Sequence, residues 1–293
     1  MRSEKWLKIN GKSLEGKLVA VTGTTGGLGR ELCRYIAALG GSLLLLDRDQ
    51  IRSATFEREL RAEFPSLSVE RIHLQLEDND SVRRATEELK GRELYAFVHN
   101  AGAYAVPRHT CSTGYDNVFS INFLSPYYMI RELLPTLRKN GGRVVAVGSI
   151  AHRYSATDPA DVDFSTRKKA SLVYGNAKRY LTFSLFELFC REEDVRLSVV
   201  HPGITFTNIT AHYPKLIFAV IKHPMKIIFM KPHRAVLSIL AGFFDESGYL
   251  EWIGPRYFDV WGLPKKKTLR SVGKEERERI FSTAERLCDE LLR

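Results

Sequence analysis

The sequence has few of the residues that build cross-links or metal centres. Its 293 residues include only four cysteines, which are scattered without any Cys-x-x-Cys spacing. This usage favours reduced thiols in a cytoplasm over a disulfide framework or a zinc site. The histidines show no ligand spacing with acidic residues either, so we expect the protein to bind no metal.

Long apolar runs are also missing. No stretch reaches the ~18 consecutive apolar residues that a membrane-spanning helix requires. Residues 1–6 lack the apolar segment of a secretory signal. The chain is 44% apolar and 27% charged, which is typical of a soluble globular protein with a substantial core. We therefore expect a cytoplasmic protein.

Positive charge is abundant and unevenly distributed. The formal net charge is +10, and residues 213–234 contain five basic residues and no acidic one. Because that stretch is also apolar, three interpretations stay open: helices packed on the domain or a dimer partner, a mobile flap over a hydrophobic substrate, or peripheral contact with an anionic membrane. No nucleic-acid-reading motif accompanies the charge, so we expect no specific nucleic acid partner.

Short apolar runs alternate along the chain with segments of helical periodicity. Strands are predicted at 18–21, 43–46, 72–76, 95–98, 143–147 and 196–200. Helices are predicted at 28–39, 50–63, 79–90, 113–138, 171–192 and 274–293, the last one amphipathic. This alternation predicts an α/β fold, a Rossmann-type doubly wound parallel sheet.

No linker interrupts this pattern, so residues 1–293 are interpreted as a single domain. Its core covers about 16–210, an apolar and basic substrate flap covers about 205–234, and a C-terminal extension covers about 263–293.

A glycine-rich turn follows the first strand and opens the next helix. Glycines at such a turn allow positive φ and close approach of the backbone to a pyrophosphate, which the helix N-terminus attracts. A tight turn alone also explains glycines, but the strand before and the helix after are what a dinucleotide site requires. The cofactor contacts predicted here are Gly23, Thr25, Gly27, Leu28 and Gly29.

The end of the second strand bears on cofactor choice. Asp47 can accept hydrogen bonds from both adenosine ribose hydroxyls and repels a 2′-phosphate. Arg48, the next residue, can instead pair with that phosphate. These residues favour NAD(H) as the cofactor and leave NADP(H) open.

Further landmarks appear in a fixed order. They are Asn100-Ala101-Gly102 after the fourth strand, Asn122, Ser149 after the fifth strand, Tyr174 with Lys178, and His201-Pro202-Gly203 after the sixth strand. Together with the glycine-rich turn, this order resembles the short-chain dehydrogenase/reductase family over about residues 16–210. The 25-residue spacing from Ser149 to Tyr174 is similar to the retinol-dehydrogenase-like branch.

The resemblance implies a catalytic set, and the residue types suit it. A tyrosine acting as acid or base at neutral pH needs its pKa lowered by about 3 units. Lys178 follows Tyr174 by four residues, so both share one helix face and the ammonium favours the phenolate. Ser149 would donate a hydrogen bond to the substrate oxygen. By resemblance, Asn122 would hold a water that links Lys178 to solvent.

The resemblance also implies the remaining cofactor contacts. Gln75, with Leu76 beside it, stands where the family often has an aspartate against the adenine. Asn100, Ala101 and Gly102 would close the cofactor floor, and Tyr174 and Lys178 would also contact the cofactor. The nicotinamide carboxamide would be bound by Pro202, Gly203, Ile204 and Thr207.

These features predict an NAD(P)-dependent oxidoreductase that interconverts an alcohol and a carbonyl, with Tyr174 as acid/base. The apolar flap suggests a hydrophobic substrate such as a steroid, a retinoid or a long-chain alcohol. The resemblance implies a homo-oligomer. The alternative is a non-catalytic redox sensor on the same fold, although such sensors usually lose the catalytic Tyr or Lys and both are present here.

Overall fold

The computed structural model describes residues 3–205, 230–245 and 247–292. These residues form one eight-stranded sheet with the strand order β3-β2-β1-β4-β5-β6-β7-β8. All neighbouring strands pair in parallel except β7 and β8, which are antiparallel. The strands are β1 (Leu18–Thr22), β2 (Ser42–Asp47), β3 (Val69–His73), β4 (Leu94–His99), β5 (Arg143–Val147), β6 (Arg196–Val200), β7 (Glu251–Tyr257) and β8 (Trp261–Thr268).

Helices cover both faces of this sheet. They are α1 (Ser3–Asn10), α2 (Gly27–Ala38), α3 (Gln50–Glu63), α4 (Asn79–Lys90), α5 (Asn117–Phe119), α6 (Ser125–Lys139), α7 (Ala170–Phe189), α8 (Pro232–Phe244) and α9 (Lys274–Leu292). Residues Ser120–Leu124 join α5 to α6 with π-helical geometry, and Ile150–Arg153 form a 3₁₀ turn. The predicted doubly wound α/β fold is therefore confirmed.

Each face of the sheet has its own hydrophobic core. One core packs α4, α6, α7 and α9 against the sheet, with Phe97, Phe123 and Phe183 fully buried. The opposite core packs α2, α3 and α8, with Ile36 and Phe56 at its centre. Strand β2 is buried on both faces, which explains its unbroken run of four leucines.

The largest differences from the predictions lie after residue 230. The sequence predicted no strand after residue 200 and an extension from about 263, whereas β7 continues the sheet beside β6 and β8 closes it as an antiparallel edge. Residues 232–234, placed in the flap by the sequence, begin α8, which packs against α2. Helix α9 matches its prediction, since Ile280, Ala284 and Leu287 face the core. The flap residues 206–229 lie outside the described residues.

Sheet topology determines where a ligand can bind. The order reverses between β1 and β4, so the loops after these strands diverge and leave a cleft at their carboxyl ends. That cleft has a volume of about 680 Å³. Among the described helices, none combines the length and the apolar character needed to cross a bilayer.

Candidate active site

The glycine-rich turn wraps tightly at the mouth of the cleft. Gly23 has a φ of +70°, and a Cβ atom on Gly29 would lie 2.3 Å from the carbonyl oxygen of Gly23. Helix α2 begins at Gly27 after Gly26, which offers no side-chain cap, so the amides of the first turn stay available to an anion. The turn therefore has the geometry of a phosphate-binding site.

Asn100, Ala101 and Gly102 tie the end of β4 to this turn. The Asn100 side-chain amide donates to the carbonyls of Thr22 and Gly23 at 3.0 and 3.1 Å. The backbone amides of Asn100 and Ala101 both donate to the Thr22 hydroxyl at 3.0 Å. These bonds hold the floor of the cleft rigid, and they are structural rather than chemical contacts.

Asp47 is held by its own chain. The residue is 3% exposed, and its carboxylate accepts hydrogen bonds from the Thr24 hydroxyl, the Thr25 amide at 3.2 Å, the Thr25 hydroxyl at 3.4 Å and the Ser53 hydroxyl at 2.9 Å. Two carboxylate oxygens offer about four acceptor sites. Asp47 therefore fastens β2 to the glycine-rich turn and to α3, and its contact with the ribose hydroxyls stays a prediction.

Most residues predicted to bind the cofactor line this one cleft. They are Gly23, Thr25, Gly27, Leu28, Gly29, Asp47, Arg48, Gln75, Leu76, Asn100, Ala101 and Gly102. Pro202, Gly203 and Ile204 follow β6 further along the same edge of the sheet, and Tyr174 and Lys178 stand on α7. Thr207 lies outside the described residues.

Tyr174 stands beside the cleft and next to Ser149. Its ring packs edge-on against Tyr104, a cleft-lining residue, with 5.3 Å between the centroids. Burial raises the pKa of Tyr174 to about 12, although a hydrogen bond with Ser149 acts to lower it. The phenol is therefore protonated at neutral pH under the influence of the chain's own groups.

Lys178 is buried one turn further along α7. Its ammonium nitrogen donates to the carbonyl of Val147 at the end of β5, at 2.8 Å, and lies 5.8 Å from the centre of the Tyr174 ring. Burial lowers the pKa of Lys178 to about 7. The lysine thus titrates near neutral pH, where a change in its surroundings alters its charge readily.

Asn122 occupies the π-helical segment between α5 and α6. Such segments widen a helix locally and are frequent at functional sites. The Asn122 amide donates to the carbonyls of Ala103 and Val118, both at 2.8 Å, and its side chain is fully buried. Ala103 lines the cleft, so Asn122 lies directly behind the cleft wall.

A network from the C-terminal helix supports the loop that carries Ser149. His152 bonds through Nδ1 to the Ser149 carbonyl at 2.7 Å and through Nε2 to the Ser271 hydroxyl at 3.1 Å. Arg179 donates to the His152 carbonyl at 2.9 Å and pairs with both carboxylate oxygens of Glu276 at 2.7 Å. Helix α9 therefore braces the turn after Ser149 against α7.

Several site residues carry no sequence signal that we recognised. Tyr104 lines the cleft from an irregular loop, and the hydroxyls of Thr24 and Ser53 donate hydrogen bonds to the Asp47 carboxylate. His99, fully buried at the end of β4, has no hydrogen-bond partner among the described residues for either ring nitrogen. Burial and the nearby Lys178 lower its pKa well below the ordinary value. Only tertiary contacts give these residues their place.

The part of the chain that carries these features is similar to known proteins. Residues 17–215 match the family described as short chain dehydrogenase. Polyprenol dehydrogenase from Mus musculus is 27% identical over 253 residues, which cover 83% of this chain and 75% of that protein. Retinol dehydrogenase 12 from Mus musculus is 28% identical over 202 residues, covering 67% of this chain and 64% of that protein. The chain thus aligns with less than two thirds of the length of the latter relative.

The fold also has a close counterpart among solved structures. A crystal structure of an uncharacterized protein from Mycobacterium Paratuberculosis superimposes with a TM-score of 0.77 at 23% sequence identity. The superposition covers 95% of each chain, so the similarity includes the strands and helices after residue 230.

Proposed function

The chain belongs to the short-chain dehydrogenase family, and on that premise we propose that it is a nicotinamide-dependent oxidoreductase that interconverts an alcohol and a carbonyl. The observation that carries the proposal is the juxtaposition of Tyr174 and Ser149 beside a glycine-lined cleft. The same edge of the sheet thus supplies both the anion-binding N-terminus of α2 and a proton donor on α7.

The residues of the cleft fit a dinucleotide. Gly29 and Gly23 leave no room for a Cβ atom, which would meet the Gly23 carbonyl and Ala101, and the amides of the first turn of α2 have no side-chain cap and could bind a pyrophosphate. Gln75 and Leu76 would contact the adenine end, and Pro202, Gly203 and Ile204 the nicotinamide end. When bound, the nicotinamide ring would deliver or accept the hydride.

The chain's own residues would manage the proton. Tyr174 would donate its phenolic proton to the substrate oxygen during reduction. Burial raises the pKa of this phenol to about 12, so the lowering that acid/base catalysis requires would come from the positive charges of Lys178 and of a bound oxidised nicotinamide. Ser149 would hydrogen-bond to the same substrate oxygen and stabilise the developing charge. Lys178 would favour the phenolate that remains after transfer, through its positive charge. Asn122 would hold a water that links Lys178 to solvent.

Cofactor preference depends on the adenosine end of the cleft. The negative charge of Asp47 supports NAD(H), as the sequence predicted. The exposed guanidinium groups of Arg48 and Arg52, both in the cleft wall, support NADP(H). Because Asp47 already accepts four hydrogen bonds, we propose that the chain binds both cofactors and that Arg48 determines the affinity for NADPH.

This preference can be measured by titrating the protein with NADH and with NADPH while following nicotinamide fluorescence. Arg48→Ala should weaken NADPH binding at least about tenfold and leave NADH binding within about twofold, because a charge-assisted phosphate contact contributes about 1.5–3 kcal/mol. Arg58→Ala, at an exposed arginine of α3 outside the cleft lining, is the control. Equal losses for both cofactors would contradict the assignment.

The proposed substrate is a hydrophobic alcohol or carbonyl compound. Tyr104, Val106, Pro107 and Ile121 give the cleft an apolar end near Tyr174. The names of the two relatives, polyprenol and retinol dehydrogenase, point to isoprenoid alcohols of the same kind. A cytoplasmic location, peripheral membrane contact through 213–234 and a homo-oligomer remain predictions.

Turnover tests the central claim. Retinal and short isoprenoid aldehydes are offered with NADPH or NADH, and oxidation of the cofactor is followed. Tyr174→Phe should lower kcat at least ~100-fold while leaving cofactor affinity unchanged, because it removes only the transferable proton. Tyr154→Phe, at an exposed tyrosine, should behave as wild type. Full activity of Tyr174→Phe would refute the mechanism, and cofactor binding without any turnover would favour the redox-sensor alternative.

A further inference from the structure

The turn between β7 and β8 projects from the edge of the sheet that carries the active site. Strand β7 runs parallel to β6, so its last residue lies at the carboxyl edge with the cleft. We call residues 257–261 the aromatic tip. The amide of Ile204 donates to the carbonyl of Val260 at 3.4 Å, which joins the tip to the segment proposed to contact the nicotinamide.

Three aromatic rings of this tip face solvent. Tyr257 is 51% exposed, Phe258 is 84% exposed and Trp261 is 45% exposed. The rings of Phe258 and Trp261 pack edge-on, with 6.4 Å between their centroids. Isolated apolar residues are common on protein surfaces, but contiguous aromatic groups mark interaction sites.

The backbone of the tip holds the ring of Phe258 outward at a cost. Phe258 has a φ of +52° and Asp259 a φ of +59°, both in the left-handed region that bulky residues rarely adopt. Asp259 is fixed there because its buried carboxylate pairs with Lys267 at 2.7 Å and with Arg153 at 3.4 Å. The strain and the exposed ring thus persist together through contacts that lie beneath the turn.

The exposed charges around the aromatic tip are positive. Residues 251–270 contain five basic and two acidic residues. Of the acids, Asp259 is buried in its ion pairs, and Glu251 is partly buried and accepts from the Gly248 amide at 3.0 Å. Arg256 and Lys265, near the tip, are exposed, whereas Arg270 follows Thr268 at the far end of the hairpin. Aromatic rings flanked by Lys and Arg are typical of protein surfaces that enter the headgroup region of an anionic membrane.

We propose that the aromatic tip docks the protein on an anionic lipid bilayer, with Phe258 and Trp261 inserted among the headgroups and the flanking cations against lipid phosphates and carboxylates. Docking in this orientation brings the carboxyl edge of the sheet, and with it the cleft, to the membrane surface. A hydrophobic substrate would then reach Tyr174 from the bilayer; this consequence, unlike the docking itself, rests on the proposed function.

Vesicle co-sedimentation tests the docking without cofactor or substrate, so its failure is separable from failure of the proposed activity. The full chain is mixed with vesicles of phosphatidylcholine alone or of phosphatidylcholine with phosphatidylserine, at low and at high salt. We expect binding to the anionic vesicles that weakens with salt, because the cations act through screened charge. Absence of binding to anionic vesicles at low salt would overturn the proposal.

Two variant pairs separate the aromatic and the electrostatic contributions. Phe258→Ser with Trp261→Ser should lower the partition coefficient at least about tenfold, since two apolar rings no longer leave water. Ile51→Ser, which removes an 82% exposed apolar side chain from α3, should not lower it. Arg256→Glu with Lys265→Glu should abolish the preference for anionic vesicles.

Far-UV circular dichroism shows whether each variant is folded. Equal vesicle binding by the ring variant and by Ile51→Ser would overturn the proposal. The proposal would also be overturned if the wild type did not bind vesicles and the variant lacking the Phe258 and Trp261 rings changed its oligomeric state in light scattering. The tip would then be a contact between subunits.

Discussion

Replacing Glu276 with Gln should destabilise the protein through the ion pair that braces the Ser149 loop. The Arg179 and Glu276 side chains are 7% and 19% exposed, and two hydrogen bonds of 2.7 Å join them. Removing one partner of a buried ion pair typically costs roughly 3–5 kcal/mol. Here Gln retains one acceptor oxygen, and Arg179 keeps its bond to the His152 carbonyl, so we expect a loss of about 2 kcal/mol.

The effect should depend on pH in a defined direction. Burial acts to raise the pKa of Glu276, but the hydrogen bonds and the charge of Arg179 outweigh it, and the pKa is lowered from its ordinary value. A carboxylate with a lowered pKa stabilises the folded state above its unfolded pKa and loses that contribution as the pH falls through the folded pKa. The difference between wild type and Glu276→Gln should therefore shrink below about pH 4.

Urea unfolding followed by circular dichroism measures both effects. The matched control is Glu278→Gln in the same helix, where the carboxylate is 59% exposed and lies 3.8 Å from Lys274. An exposed pair of this kind contributes less than about 0.5 kcal/mol. Equal free energies of unfolding for the two variants, or a loss at Glu276 that persists unchanged at low pH, would refute the reasoning.

Two further predictions concern the site itself. Gly29→Ala should weaken NADPH binding at least about tenfold, because the new Cβ would lie 2.3 Å from the Gly23 oxygen and the turn must shift; Gly26→Ala, with its nearest atom at 3.5 Å, is the control, and equal losses would contradict the role of the turn. Lys178→Met should alter how stability depends on pH. Burial lowers the pKa of Lys178 to about 7, so between about pH 7 and pH 10 the unfolded chain binds the proton more strongly and wild-type stability rises with pH. The wild type should gain up to about 4 kcal/mol over Lys178→Met across that window in urea unfolding, and a constant difference would contradict the lowered pKa.

Local patterns in the sequence were enough to predict the parallel part of the sheet. The bounds of β5 and β6, and those of α3 and α4, agree with the predicted segments residue for residue. Buried parallel strands are apolar throughout and amphipathic helices have a period of 3.6, so each signal lies within one short window. The glycine-rich turn is equally local, because strand, turn and helix follow one another directly.

The last two strands were missed because their own residues carry no such local signal. Strand β7 contains Gly254 and Pro255, and β8 contains Pro264 followed by three lysines, so neither reads as a strand by composition. β8 tolerates these residues because it is an edge strand, paired on one side only and largely open to water. Pairing with β6, which is distant in sequence, makes β7 a strand, and β8 then pairs with β7 across a tight turn.

What the sequence determined by itself is the order of elements and the residue types that the proposed chemistry needs, since both are set by neighbours within a few positions. The hydrogen-bond partners and the burial of those residues followed only from the tertiary structure. Asp47 accepts from Thr24, Thr25 and Ser53, and the Ser149 loop is braced through Arg179 by Glu276 of α9, more than 100 residues after Ser149. Hydrogen-bond capacity and burial are properties of a three-dimensional neighbourhood, and they determine both the free acceptors of a carboxylate and the pKa of a phenol or an ammonium group.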